Sequence, residues 1–340
     1  MTFTILDNDC FRMKVNDCIH RYLGLSNEQK IAIGIYVNGH FYLNGNGINH
    51  TYMYDIGSIS KTITAHLVLK LVEDGLIQLD AKIDKYLTIK KGEYPTINEL
   101  LTHSAGYNNL TPYEITVPSL FKHGYNKKNI YENVTKEDII HCIEKRNKCK
   151  HNKKYGYSDF SYAILGLIIE KVTNVKFSIL FNEFINNELK MINTKVILKG
   201  IRFPYAMKGR KIFPYWQWSS DNYYLAAGGV VSNVQDMLKY LSLQIESKEE
   251  YIKNAHIISN EIIAKNNIRI CKGWHSYVKS HQLWHVGGVG TFRSSIIVNK
   301  HKKIGVIVLG NSNGVNKGNV HYLAKMIYSE LKINKVNLKV

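Results

Sequence analysis

Ser58 and Lys61 stand three residues apart in Tyr54-Asp55-Ile56-Gly57-Ser58-Ile59-Ser60-Lys61, directly ahead of an apolar-periodic run over residues 62–74. At the start of a helix that spacing puts both side chains on one face, where the amine can take the hydroxyl proton. Such a pair is a nucleophile that carries its own base. The unpaired N–H groups and positive dipole end of a helix start also favour the negative charge that develops when a hydroxyl attacks an acyl carbon. Other S-x-x-K matches begin at Ser119, Ser276 and Ser329. Ser58 alone combines a preceding strand-like segment, residues 51–56, with a turn glycine, Gly57, and a following helical period.

Two further segments carry groups suited to the same chemistry. Tyr157-Ser158-Asp159 precedes a helical run over residues 161–172, and a tyrosine hydroxyl near Ser58 and Lys61 would relay a proton to a leaving group. His285-Val286-Gly287-Gly288 is the one H-x-G in the chain and closes a strand-like stretch. Its glycines let a substrate lie against the strand edge, and the Gly288 N–H would join that of Ser58 as an oxyanion hole. Trp216 and Trp218, in an irregular aromatic stretch, are suited to form the walls of a substrate cleft.

The order S-x-x-K, then Tyr157-Ser158-Asp159, then H-x-G resembles the serine β-lactamase and penicillin-binding-protein superfamily, in particular its class C-like branch. Three accessory stretches extend the likeness over about residues 30–330: ELLTHSAGY (99–107), YSDFSYAILGLIIEKVT (157–173) and AAGGVVSNVQD (226–236). The resemblance implies that Ser58 is acylated, that Lys61 is its base, that Tyr157 relays protons and that His285 faces a substrate carboxylate. It also implies substrates such as small peptides with a D-residue, carboxylic esters or β-lactams, and no cofactor. One position departs from the family pattern: Asp159 stands where asparagine is usual. A carboxylate there holds a neighbouring lysine cationic and weakens it as a base, or selects a cationic or amine-bearing substrate.

The elements around these residues follow from hydrophobic period. Residues 9–23 read as an amphipathic helix with Phe11, Val15, Ile19 and Tyr22 on one side. Residues 31–37 and 41–43 read as strands joined by the hairpin signal Asn38-Gly39. Helices are expected over 136–144, 161–172, 177–189 and 233–244. Strands follow at 276–279, 283–285, 292–298 and 304–309, and a helix at 319–331 closes the chain. Strands at both ends and helices between them predict an α+β fold of the β-lactamase/transpeptidase type. In it an antiparallel sheet formed by both chain ends is flanked by the terminal helices, with a mostly helical middle lobe. The expected organisation is one domain, 1–340, with a sheet lobe of about 1–57 and 245–340 and a helical lobe of about 58–244. Ser58 then falls at the seam between lobes, where active-site clefts commonly lie.

Composition narrows the function further. With 340 residues and 45% hydrophobic content the chain has ample core material. The +18 net charge is dominated by lysines spread along the whole chain with Asn and Ile, which argues against a nucleic-acid surface. Its densest basic segment, 145–154, reads as a solvated loop. Five cysteines without C-x-x-C spacing fit reduced thiols, and the histidines include no H-E-x-x-H pair and no H-x-H group. Absence of a signal-like segment or a membrane-length apolar stretch gives a cytoplasmic expectation with no membrane partner. Two apparent motifs are set aside: Ser220-Asp221-Asn222 lacks a helical frame, and the G-x-S-x-G elbow around Ser312 is followed by only His321 and Glu330, with no Asp beyond Asp236. His103 reads as a structural hydrogen-bonder. The expectation is a serine hydrolase acting through an acyl-enzyme on amide or ester bonds of a small-molecule or short-peptide substrate. The alternatives are an acyl-transferring or cyclising tailoring enzyme, and a binding or sensor protein that keeps the fold.

Overall fold

The computed structural model describes residues 4–5, 9–23, 30–46, 52–107, 111–117, 129–147, 154–196, 216, 218–259, 262, 264, 268–277, 279–311 and 320–333. Ser119, Ser312, Cys149 and most of the basic segment lie outside the described residues, as do the side chains of Cys10 and Phe11.

An eight-stranded sheet is built from both ends of the chain. Its strands are β1 (Thr4–Ile5), β2 (Lys30–Val37), β3 (His40–Asn46) and, from the C-terminal part, β7 (Ile268–Ile270), β8 (His275–Tyr277), β9 (Gln282–Val289), β10 (Phe292–Asn299) and β11 (Ile304–Asn311). The order is β1-β3-β2-β11-β10-β9-β8-β7, so the first hairpin pairs with the last strand. Only the short β1 is parallel to its neighbour. Asn38 and Gly39 both have positive φ, 48° and 94°, the geometry that makes Asn-Gly a two-residue hairpin turn. A small second sheet joins β4 (Tyr54–Asp55), β5 (Lys195–Val196) and β6 (Val230–Ser232) in the order β4-β6-β5.

Alternate side chains of the large sheet feed two layers, because successive strand residues point to opposite faces. Ile31, Ile33, Ile35 and Val37 of β2 join Val306 and Val308 under the terminal helices α1 (Asp9–Leu23) and, at the other end, Val320–Ile333. On the opposite face packs α4 (Val234–Glu246), and the core it joins also holds α2 (Ser60–Glu73) and α3 (Asp159–Thr173). The close approach of α4 shows why glycines interrupt two central strands. A Cβ on Gly34 would stand 2.6 Å from the Leu238 side chain, and one on Gly305 would stand 2.0 Å from Leu241. This contact corrects the expected lobe boundary: α4, assigned from sequence to the helical lobe, packs on the sheet. Its alternation of Met237, Leu238, Leu241 and Ile245 is the amphipathic stripe that covers β2 and β11.

Strand β9 is longer than its sequence pattern implied. Val286-Gly287-Gly288 reads as the end of a strand, yet pairing with β10 continues through Gly287↔Ser294, Gly288↔Arg293 and Val289↔Phe292. On its other side β9 pairs with β8 only through Gln282, Leu283 and Trp284. The edge from Val286 onward therefore extends past β8, beside the turn that carries Ser58.

Candidate active site

Ser58 sits in a one-turn 3₁₀ segment, Gly57–Ile59, that runs straight into α2. Gly57 has φ 50°, a conformation that favours glycine, and its N–H donates to Asp55 Oδ1 at 2.8 Å. This turn lies against the β9 edge: a Cβ on Gly57 would be 2.6 Å from the Gly288 nitrogen, and one on Gly287 only 2.0 Å from the Ile56 carbonyl oxygen. Ser294 of β10 locks the contact from below by donating to that same carbonyl at 2.7 Å. Among the residues of the turn Ser58 is partly exposed while Gly57 and Ile59 are buried.

Lys61 is fully buried, and its Nζ lies 3.0 Å from Ser58 Oγ, 2.7 Å from the Ala227 carbonyl oxygen and 2.7 Å from Asp159 Oδ1. The Ser58 and Ala227 contacts have hydrogen-bond geometry, and the Asp159 contact is an ion pair; in a neutral amine the lone pair is left for the Ser58 hydroxyl proton. Burial lowers the Lys61 pKa, and the Asp159 carboxylate opposes that by Coulomb attraction and hydrogen bonding. The net direction is downward, toward a lysine that can exchange its proton.

Tyr157 and Asp159 are delivered by the start of α3. Ser158 caps the helix through its Oγ, which accepts from Ser161 N at 3.1 Å. The Ser158 N–H donates to His103 Nδ1 at 3.2 Å, and the Gly156 N–H donates to the His103 carbonyl at 2.8 Å. His103, held at φ 54°, thus pins the segment on which Tyr157 stands, the structural role read from the sequence. Lys61 Nζ lies 5.1 Å from the centre of the Tyr157 ring, and the Ser58 side chain partly offsets the rise in the Tyr157 pKa. Burial and the nearby Asp159 hold the Tyr157 phenol well above 10, so the hydroxyl keeps its proton at neutral pH. Asp159 is 15% exposed, with Oδ2 accepting from the Tyr131 hydroxyl at 3.0 Å.

His285 is placed differently from the resemblance. It is 1% exposed, its ring 6.3 Å from that of Tyr157 and 5.3 Å from that of His275. Because Nδ1 faces the Val286 carbonyl at 2.8 Å it must donate there, so neutral His285 keeps its proton on Nδ1. Burial, reinforced by His275 and Lys61, drives its pKa well below 6.5. A neutral, enclosed imidazole is no counter-charge for a substrate carboxylate; it packs behind Tyr157. Trp218 likewise is no wall: it is 1% exposed and stacks at 5.9 Å on Tyr131. Trp216 is half-buried, with its indole nitrogen 3.7 Å from where a Gly290 Cβ would be, at the β9–β10 turn.

Three parts of the arrangement escaped the sequence. The Ala227 carbonyl has no side-chain signature, although the AAGG stretch that carries it is part of the likeness. Tyr131 appears in sequence only as one of several chance Y-x-N tripeptides, and Thr111 gives no signal at all. Asp221 of the set-aside S-D-N triplet pairs with Lys176 at the surface, and Asn222 donates to the Tyr131 carbonyl. Cys18, Cys142 and Cys271 are free and buried, and among the described residues no cluster of His, Cys, Asp or Glu could hold a metal. None of the described helices is long and apolar enough to cross a membrane.

An antiparallel sheet from both chain ends, with the serine–lysine turn packed against its β9 edge and many helices around it, is an α+β fold of the β-lactamase/transpeptidase type. The Beta-lactamase family model matches residues 18–325, and the chain belongs to that family, within the serine β-lactamase and penicillin-binding-protein superfamily. Among solved structures it is similar to the octameric penicillin-binding protein homologue from Pyrococcus abyssi, with TM-score 0.78 and 27% identity over 95% of this chain and 77% of that one. The β-lactamase/D-alanine carboxypeptidase from Yersinia pestis matches with TM-score 0.76 and 17% identity over 94% and 99% of the two chains. Protein flp of Staphylococcus aureus strain MW2 is 23% identical over 77% of this chain. The chain spans about half the length of the curated relatives it matches, 53% in the case of that protein.

Proposed function

We propose that the protein is a serine hydrolase that opens amide or ester bonds through an acyl-enzyme on Ser58. The observation that carries this reading is the 3.0 Å contact between Lys61 Nζ and Ser58 Oγ, in a lysine whose other two contacts leave one position for the serine proton. Lys61 as amine accepts the Ser58 proton while Oγ bonds to the carbonyl carbon. The resulting oxyanion is held by the N–H groups of Ser58 and Gly288. The tetrahedral adduct collapses as the leaving amine or alkoxide takes a proton through Tyr157, which is replenished from Lys61. Water then attacks the ester, its proton returning along the same groups, and Ser58 is released.

Small peptides with a D-residue, carboxylic esters and β-lactams are the proposed substrates, with Trp216 as a wall and no cofactor. The likeness to a β-lactamase/D-alanine carboxypeptidase supports the D-residue. A second reading, a binding or sensor protein that acylates slowly, is favoured by one observation: the 2.7 Å Lys61–Asp159 ion pair stabilises the lysine form that cannot accept a proton. Intact mass after exposure to a fluorophosphonate and, separately, a β-lactam panel distinguishes them, with Ser58→Ala as control. One adduct per chain that vanishes in the variant is expected; folded protein that forms none with either reagent overturns the hydrolase reading and leaves the binding protein.

A further inference from the structure

Asp159 is the departure from the family pattern, and its surroundings say what the position requires. Lys61 Nζ, which approaches Oδ1 at 2.7 Å, offers only N–H groups on that side whether charged or neutral. On the other side Tyr131 O–H approaches Oδ2 at 3.0 Å, and Thr111 Oγ stands 3.0 Å behind the Tyr131 oxygen. A carboxylate can only accept, so the Tyr131 proton must point to Asp159 and the Thr111 proton to Tyr131. The three hydroxyl and carboxyl groups form one directed chain that ends on Asp159. Residue 159 is asked to accept twice, from opposite sides. An asparagine accepts at one atom only, and its amino group would face either Lys61 or Tyr131.

The tyrosine that makes this demand is fixed on every side. Its ring stacks on Tyr224 with centres 4.2 Å apart and planes 7° from parallel, and on Trp218 beyond. Its carbonyl accepts from Asn222, and its N–H donates to Asn129 Oδ1 at 3.0 Å. The oxygen on so constrained a ring has little freedom to move away from Asp159.

We infer that Tyr131 is a positioning residue that selects aspartate at 159 and, acting through that carboxylate, sets how strongly Lys61 holds its proton. Tyr131 shares the negative charge of Asp159 with Lys61. Removing the hydroxyl turns more of that charge toward the amine, which then keeps its proton to higher pH.

The test is a double-mutant cycle of Tyr131→Phe and Asp159→Asn, read in two ways that need no catalysis. In urea unfolding the two changes should be non-additive, with Asp159→Asn costing about tenfold less in the folding equilibrium when residue 131 is Phe, since one charge-assisted hydrogen bond is already gone. In ¹³Cε-lysine NMR, with Lys61→Met to assign the resonance, Tyr131→Phe should move the Lys61 midpoint upward in the parent background and leave it in place in the Asp159→Asn background. Additive unfolding energies, or a midpoint that Tyr131→Phe shifts equally in both backgrounds or not at all, overturn the inference. A protein that shows both expected results but never acylates Ser58 refutes the proposed hydrolase and leaves this inference standing.

Discussion

Gly287 offers a sharp test of whether the β9 edge and the Ser58 turn form one oxyanion hole. An alanine Cβ at that position would stand 2.0 Å from the Ile56 carbonyl oxygen and 2.3 Å from Ser294 Oγ. The serine hydroxyl can rotate aside, but the carbonyl belongs to the backbone two residues ahead of Ser58. Real Cβ contacts essentially never fall under 3.0 Å, so strand and turn must part by at least 3.0 − 2.0 = 1.0 Å. Such overpacking costs about 1–3 kcal/mol of stability. Its catalytic cost is comparable, because a displacement of about 1 Å at positioned groups is worth about 100-fold in rate. The neighbouring glycine is the internal control. A Cβ on Gly288 meets nothing nearer than the Arg293 side chain at 3.5 Å, an ordinary contact.

The assay is the second-order rate constant for fluorophosphonate labelling of Ser58, followed by intact mass, in Gly287→Ala and Gly288→Ala proteins shown to be folded. Gly287→Ala should label about 100-fold more slowly than the parent, and Gly288→Ala within a few-fold of it. Parental labelling by folded Gly287→Ala would refute the argument, since the turn and strand could then separate without loss. Equal damage from both substitutions would refute it too, by removing the link between the backbone clash and the rate.

Asp55 predicts a pH dependence of stability. Its carboxyl is 1% exposed, and burial raises its pKa to about 8, against a lowering by the Gly57 N–H. The folded state therefore binds the proton more tightly than the unfolded chain, so Asp55's contribution is full below about pH 4 and is lost as pH rises toward 8. Asp55→Asn keeps an acceptor for Gly57 and removes the ionisation, so its thermal midpoint should gain on the parent steadily from pH 5 to pH 8; parallel curves would sink the assignment. For Trp218, Trp218→Leu should lower the thermal midpoint, a truncated core aromatic costing on the order of 3 kcal/mol. KM for any accepted ester should be unchanged, and a change in KM without loss of stability would return Trp218 to the cleft wall.

What the sequence made legible is what depends on local pattern. The Asn38-Gly39 hairpin, the apolar strands of β2, β10 and β11, and the helical run of α3 are written in residues a few positions apart. That both chain ends share one antiparallel sheet followed from placing strands at both ends; that the first hairpin pairs with the last strand is seen only in the sheet order. Less legible were the elements whose ends are set by contacts from elsewhere. Gly287 and Gly288 look like the end of a strand, because glycine has poor strand propensity; pairing with β10 continues through both, and at Gly287 the Ile56 carbonyl leaves no room for a side chain. Membership of α4 in the sheet layer was hidden in the same way, since Gly34 and Gly305 signal a close approach without naming the helix that makes it.

The candidate site divides along the same line. Ser58 and Lys61 are neighbours on one turn, so their spacing alone implied their contact. Tyr157 was reachable only through the order of motifs, and the residues that tune Lys61 come from stretches with no common pattern: Ala227 by a carbonyl, Tyr131 through Asp159. Burial then decides roles that residue type leaves open. His285 and Trp218 are chemically able to meet a substrate, yet both are enclosed, whereas Asp159 keeps a partly open carboxylate between a lysine and a tyrosine. Breaking a buried ion pair costs about 3–5 kcal/mol when a charge is left behind, a figure that the partial exposure of Asp159 reduces. The exchange of asparagine for aspartate is thus tied to Lys61 on one side and to Tyr131 on the other. It should be read as one change in a connected group of three residues, and any account of substrate preference at Ser58 must begin from the charge that group carries.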